Sequence, residues 1–361
     1  MAYSAVGGLL RYQPSNTFRQ SMNSFAQKRN WSTAAIPKWA PTSDPSLDKS
    51  LHRFREKLFI PQALSLEQRN LVYKLSNAQK LKENPITVYV GPDDEPYQLR
   101  TIDRRELPSK TEAIQVIELM KKTRNWANLV PFLIGIRESG WRLSEDHLES
   151  LVAGTGSTNG LGYLLEALKQ SAKTAVTIGN PEVGKRVFFE LHVQAQQNNF
   201  QGLELEKTYR LAQQFAQALE SPRNAARKAQ YDPKKQPSVI GTLLELSAAN
   251  AVNNGSVEAG VEALEYAKRF RASWKDVALT VPPKSWALYD RRLRECVPIY
   301  NGMKYALEVK EIAKDSRMVS MFQTEIEKLG VFIAEAKISA RRKAVQPPTP
   351  GLLQAQALHE S

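Results

Sequence analysis

From residue 65 onward the apolar positions of this chain recur at helical spacing, and the clearest strand is Ile86-Thr87-Val88-Tyr89-Val90. Leu161, Leu164, Leu165 and Leu168 fall at i, i+3, i+4 and i+7, which places them in one stripe on one helix face. The same period runs through residues 111–219 as a succession of short amphipathic helices. Ser109 and Glu112 form a capping-box pair ahead of Ile114, Ile117 and Met120. A second helix is predicted over residues 126–136, with Pro131 either kinking it or sitting in its first turn. The segment from Phe132 to Ser144 closes that helix and turns at Ser139-Gly140. It then caps the next helix at Ser144, where Glu145 and Asp146 favour the helix dipole.

Gly154-Thr155-Gly156-Ser157 reads as a flexible break. Asn180, followed by Pro181, opens a helix bearing Val183, Val187, Phe188 and Leu191. Gly202 separates it from Leu205, Tyr209, Ala212, Ala216 and Leu219, and Pro222 ends that helix. After a polar break, Ile240, Leu243, Leu244, Ala248 and Ala251 resume the pattern. Asn254-Gly255 stops it and Ser256 caps the next helix. Pro282-Pro283 precedes Trp286, Leu288, Leu293 and Val297, and a final helical region covers residues 301–343.

Towards the N-terminus, Ser65 and Gln68 cap a helix that runs to Asn84-Pro85. Gly91 to Pro96 is a turn, and Tyr97 to Ile102 reads as the returning strand of a hairpin. Two strands alone are marginal in water, so this hairpin must pack on the helices or pair elsewhere. The fold class expected is all-α, an α-solenoid of antiparallel helix pairs with a small β-hairpin near the N-terminus. The boundaries expected are a presequence at 1–31, an extended arm at 32–64 and a helix plus hairpin at 65–108. A helical-repeat region follows at 109–222, a basic linker at 223–237, a C-terminal helical region at 238–345 and a disordered tail at 346–361.

Charge changes this picture. The 361-residue chain carries a formal charge of +13, which points to an anionic partner, most often nucleic acid. Residues 1–43 contain no Asp or Glu but hold Arg11, Arg19, Lys28, Arg29 and Lys38 among many Ser, Ala and Asn. That is the composition of a mitochondrial presequence. Arg29-Asn30-Trp31-Ser32 resembles a matrix-protease site, with cleavage between Trp31 and Ser32. Removal of residues 1–31 takes away four positive charges and leaves +9, so the basic excess survives. No window is apolar enough for a membrane span.

Little suggests catalysis. Cys296 is the sole cysteine, which excludes a disulfide framework and a cysteine-rich metal site. His52, His147, His192 and His359 are far apart and read as surface or helix-face residues. Asp93, Asp94 and Glu95 lack the spacing of a calcium loop and read as solvated acids at a hairpin tip. Gly179-Asn180-Pro181-Glu182-Val183-Gly184-Lys185-Arg186 nearly matches the phosphate-loop pattern, but Arg186 replaces the magnesium-ligating hydroxyl and Pro181 removes a backbone donor. No cofactor, metal or catalytic residue is expected.

The positive signal is basic. One cluster is Arg223, Arg227, Lys228, Lys234 and Lys235, against the single acid Asp232. A second is Lys284, Arg291, Arg292 and Arg294, with Trp286 and Tyr289 nearby. A third is Lys337, Arg341, Arg342 and Lys343. Such residues neutralise phosphates, and aromatics among them stack on unpaired bases.

Aligned at an offset of 32, Ile136–Ser144 and Leu168–Val176 pair Ile136 with Leu168, Gly140 with Ala172 and Leu143 with Ala175. This resembles the end of a degenerate pentatricopeptide or tetratricopeptide-like repeat unit, and the resemblance extends over residues 111–296. RNA-reading members of the pentatricopeptide family carry a regular set of polar positions, which is missing here. The chain is therefore expected to be a matrix scaffold whose basic patches meet RNA, as part of the mitochondrial ribosome with protein neighbours. The alternatives are a pentatricopeptide-like factor for mitochondrial mRNA and a helical assembly factor for a respiratory complex.

Overall fold

The computed structural model describes residues 36–358 except 92, 227, 229, 230, 275–282 and 343–346, and the backbone alone at 341 and 342. The expected presequence, with its junction at Trp31 and Ser32, lies outside the described residues.

The stretch expected as an extended arm is instead the first core element. Helix α1 (Pro45–Phe54) continues through a π turn (Arg55–Phe59) into α2 (Ile60–Ala63). Asp44 caps α1 by accepting from the amides of Ser46 and Leu47, and Pro45 occupies the first position, where a missing N–H costs nothing. Leu47, Leu51, Phe54 and Leu58 are all buried, and full burial of each such side chain is worth about 1.5–3 kcal/mol. The prolines suggest an arm, yet Pro45 and Pro61 both sit at helix starts. Ahead of the helix, buried Asn128 holds Ala40 by both its amide and its carbonyl at 2.8 Å.

Next come α3 (Leu66–Val72), a 3-10 turn (Leu75–Asn77) and α4 (Ala78–Glu83), three pieces where one helix is expected. The capping box at Ser65 and Gln68 is present. Strands β1 (Thr87–Val90) and β2 (Glu95–Gln98) pair antiparallel, with Val90 opposite Glu95. The second strand thus begins earlier than its polar sequence suggests, because Gly91 and Asp94 adopt positive φ and tighten the turn. Val88 and Val90 face a small core with Leu64, Val72, Leu81 and Leu99.

The solenoid follows: α5 (Lys110–Thr123) and α6 (Leu129–Glu138), then α7 (Glu145–Ser157) and α8 (Leu161–Lys169) with a short α9 (Ser171–Thr174). After these come α10 (Pro181–Gln197) with α11 (Gly202–Leu219), and α12 (Pro237–Asn253) with α13 (Val257–Ser273). The chain ends with α14 (Trp286–Glu308), α15 (Lys310–Ala313), α16 (Ser316–Arg342) and α17 (Pro350–Ala357). The first helices of successive pairs stack on one another in the order α5, α7, α10, α12, α14, and α6, α8 and α11 form the outer layer. Helices α5, α7 and α10 begin at Lys110, Glu145 and Pro181, spacings of 35 and 36 residues. Helices α6 and α8 begin 32 apart, the offset seen in the sequence.

Glycines let these layers approach. A Cβ at Gly135 would lie 2.7 Å from the Phe59 ring, where Phe54, Phe59 and Phe132 cluster. Gly154 and Gly156 are helical and buried within α7, not a flexible break. A Cβ at Gly156 would clash with the Glu190 side chain and one at Gly154 would lie 3.2 Å from Lys121 Cδ, so these residues are small for packing. Between α12 and α14, Gly241 faces Ile299 and Gly302 faces the Gly241 carbonyl, which allows α12 to be buried along most of its length.

The tail also differs from expectation. Helix α17 buries Gly351, Leu352 and Ala355, and the Gly351 amide donates to Asp290 Oδ1 at 2.8 Å. Pro350 occupies the first position of this helix, so the stretch expected as a disordered tail holds a helix start.

Candidate functional site

In a stack of antiparallel pairs, first helices start and second helices end at the same edge. All three basic clusters fall there. The first lies on the connection from α11 to α12, the second at the start of α14, and the third at the end of α16. The opposite edge holds the turns at residues 124–128, 158–160, 198–201, 254–256 and 309–315, where Lys310 and Lys314 are matched by Glu311 and Asp315 and Arg124 is the one excess charge. Residues 109–222 carry twelve Lys and Arg against twelve Asp and Glu, so the excess does not come from the first pairs of the stack.

The α11–α12 connection is pinned at two points. Buried Asn224 accepts from the Ile178 amide at 3.2 Å and donates to the Ala218 carbonyl at 2.8 Å. Buried Pro233 lies where a Cβ on Gly184 would come within 2.9 Å. A Cβ on Gly179 would sit 2.6 Å from the Asn224 carbonyl oxygen. The two glycines of the phosphate-loop-like sequence therefore admit the chain's own connection. Asn180 caps α10 by accepting from the amides of Glu182 and Val183. Lys185 reaches Glu295 at 2.9 Å and Glu182 at 3.4 Å; burial opposes its charge, but these carboxylates raise its pKa. Arg186 pairs with Glu190 at 2.7 Å.

The clusters divide by their partners. Arg223, Lys228, Lys235 and Lys284 are exposed and form no ion pair among the described residues. Lys234 pairs with Glu220 at 2.9 Å. Arg294 is held by Asp290 at 3.2 Å and Glu149 at 3.3 Å, and Arg291 approaches Glu182 at 3.5 Å. Arg292 and Lys337 are half-buried, and each has a partner. Arg341 and Arg342 end α16, while Arg227 and Lys343 lie outside the described residues.

The aromatics of the second cluster belong to the core. Tyr289 is buried and stacked between Trp286 and Phe332, with centroids 5.8 Å apart on each side. This stack also sets the end of α16 beside the start of α14, so the second and third clusters adjoin. Sequence reading passes over two residues at the first cluster. Tyr231 is 50% exposed, and exposed Arg269 of α13 opposes the charge on Lys234. Arg269 is distant in sequence, and only the packing of α13 brings it here.

His192 is not a surface residue. It is fully buried with Glu245, and its Nδ1 lies 2.8 and 2.9 Å from the two carboxylate oxygens. Cys296 is buried, and burial pushes its thiol up, as in a packed core residue. Among the described residues, no group of three or more His, Cys, Asp or Glu is placed to hold a metal ion. No described helix is long and apolar enough to cross a membrane.

The fold is thus a two-layer helical solenoid with basic clusters gathered at one edge. The chain belongs to the mitochondrial ribosomal protein mS27 family, whose model matches residues 23–357. It is a mitochondrial ribosomal component. Small ribosomal subunit protein mS27 of Neurospora crassa is 21% identical over 311 residues, spanning 80% of this chain and 78% of that protein.

Proposed function

We propose that the chain is a non-catalytic scaffold of the small subunit of the mitochondrial ribosome, acting in the matrix, and that its basic edge holds ribosomal RNA. The observation that carries this reading is that exposed Arg223, Lys228, Lys235 and Lys284, on the edge where the clusters gather, form no ion pair among the described residues. Phosphate contacts from such residues position a protein on RNA without reading its sequence. The spacings of 35 and 36 residues support the likeness to pentatricopeptide and tetratricopeptide units, the latter of about 34 residues. Here those units serve as framework, and neighbouring proteins of the ribosome are its further partners. The small-subunit assignment draws on the Neurospora crassa relative, and family membership favours the ribosomal reading over an mRNA factor or a respiratory assembly factor.

The test is sedimentation of a mitochondrial lysate on a magnesium-containing gradient, after ultraviolet crosslinking in intact mitochondria. Comigration with the small subunit at high salt, with crosslinks from this chain to its rRNA, is the expected result. A light fraction, comigration with the large subunit, or protein free of RNA crosslinks overturns the proposal.

A further inference from the structure

We infer that Tyr231 is a stacking platform for one unpaired RNA base, so that this part of the edge takes single-stranded rather than duplex RNA. The inference rests on the RNA-facing reading above and adds the form of RNA and the residue that selects it.

Anchoring is the first argument. Asn224 and Pro233 are both buried against the start of α10 and fix the two sides of the connection. The Tyr231 amide donates to the Lys228 carbonyl at 2.9 Å, and Asp232 accepts from the Lys234 amide at 3.1 Å. The Asp232 bond and the buried Pro233 hold the backbone on the C-terminal side of the tyrosine. A ring carried two residues from the buried Pro233 loses little freedom when a base settles on it.

Exposure and surroundings are the second. Trp286 and Tyr289, the aromatics near the second basic cluster, are committed to a stack with Phe332. Tyr231 keeps half its surface open, and Arg223, Lys228 and Lys235 on the same connection are exposed. Arg269 from α13 adds a further cation beside Lys234. A face for a base among cations for its flanking phosphates is the combination that single strands require. A duplex hides its base faces and would use only the cations.

The test is fluorescence anisotropy of the full chain with a labelled 15-nucleotide single-stranded RNA of mixed sequence, and with the duplex of the same strand at the same salt. Tyr231→Ala should weaken single-strand binding by roughly 5- to 150-fold, the range of one base stacked on an aromatic. It should leave duplex binding unchanged, and Tyr231→Phe should bind as wild type does. Equal single-strand affinity of Tyr231→Ala and wild type overturns the stacking inference. If the triple variant Arg223→Glu, Lys228→Glu, Lys235→Glu weakens both RNAs in that case, the basic edge stands and only the platform falls. If the triple variant binds both RNAs as wild type, the RNA-facing reading itself fails. If Tyr231→Ala binds RNA normally but leaves the ribosomal subunit, the ring meets protein, which also overturns the inference.

Discussion

His192 Nδ1 and a carboxylate oxygen of Glu245 lie 2.8 Å apart, with both side chains fully buried where α10 crosses α12. Asn301 of α14 donates to the same carboxylate at 2.7 Å, so one acid ties three stacked helices together. Burial raises the Glu245 pKa above its ordinary 4.5, against the opposing pull of His192 and Asn301. The folded chain then holds a proton that the unfolded chain releases. Its contribution to stability is complete below about pH 4.5 and is lost as pH rises through the elevated folded-state value. Thermal melts across pH should therefore show wild type losing stability relative to Glu245→Gln as pH rises from 4.5 towards neutrality. Parallel pH profiles would show that the acid is not protonated in the fold. Glu245→Ala strands His192 and Asn301 as buried polar groups without this partner and should cost about 1–3 kcal/mol for each in denaturant unfolding.

Leu51 tests the N-terminal segment. It is fully buried in α1, within the same core as Phe54, Met120 and Phe132. Leu51→Ala should destabilise the chain by about 2–5 kcal/mol. An unchanged denaturation midpoint would mean that residues 45–63 are a peripheral arm after all.

Two glycines make opposite predictions. A Cβ on Gly302 would lie 2.8 Å from the Gly241 carbonyl oxygen and 3.1 Å from the Glu245 amide, both backbone atoms that cannot rotate away. Gly302→Ala should cost about 1–3 kcal/mol by forcing α12 and α14 apart. A Cβ on Gly162 would meet nothing within 4 Å, and that residue lies in helix α8. Gly162→Ala should be neutral or stabilising by up to about 1 kcal/mol. Calorimetry of the two variants checks the pair, and equal shifts would contradict the packing described.

The acid-free N-terminus makes a prediction of its own. Chain isolated from mitochondria should begin at Ser32, as read by N-terminal mass spectrometry. A mature chain that begins at Met1 or Ala2 would refute the presequence.

The physics of each feature decides how much of it the sequence reveals. Caps at Ser65, Ser109, Ser144, Asn180 and Ser256 are local, because the side chain bonds an amide two or three residues away, and all five are present. Helix α1 hides behind Pro37, Pro41, Pro45 and Pro61, although Leu47, Leu51, Phe54 and Leu58 already carry a helical period. The buried glycines of α7 look flexible because their reasons for being small lie on other elements, Lys121 and Trp126 for Gly154 and Glu190, 34 positions away, for Gly156. At the candidate site, composition reveals the cations but not their partners. Arg294 and Lys234 are counted as available in the sequence, yet Asp290, Glu149 and Glu220 hold them. Tyr231 is overlooked because exposure is a property of packing and leaves no mark on the residue type.

The central claim is that the basic edge of the solenoid joins this chain to ribosomal RNA. It is tested most directly by replacing Arg223, Lys228 and Lys235 together with Glu in cells and measuring the share of the chain that sediments with the small ribosomal subunit. The three side chains are exposed, so the variant should fold, with a melting temperature close to wild type. The account predicts that most of the variant leaves the subunit fraction and that crosslinks to rRNA at this edge disappear. A folded variant that sediments and crosslinks as wild type does would contradict it.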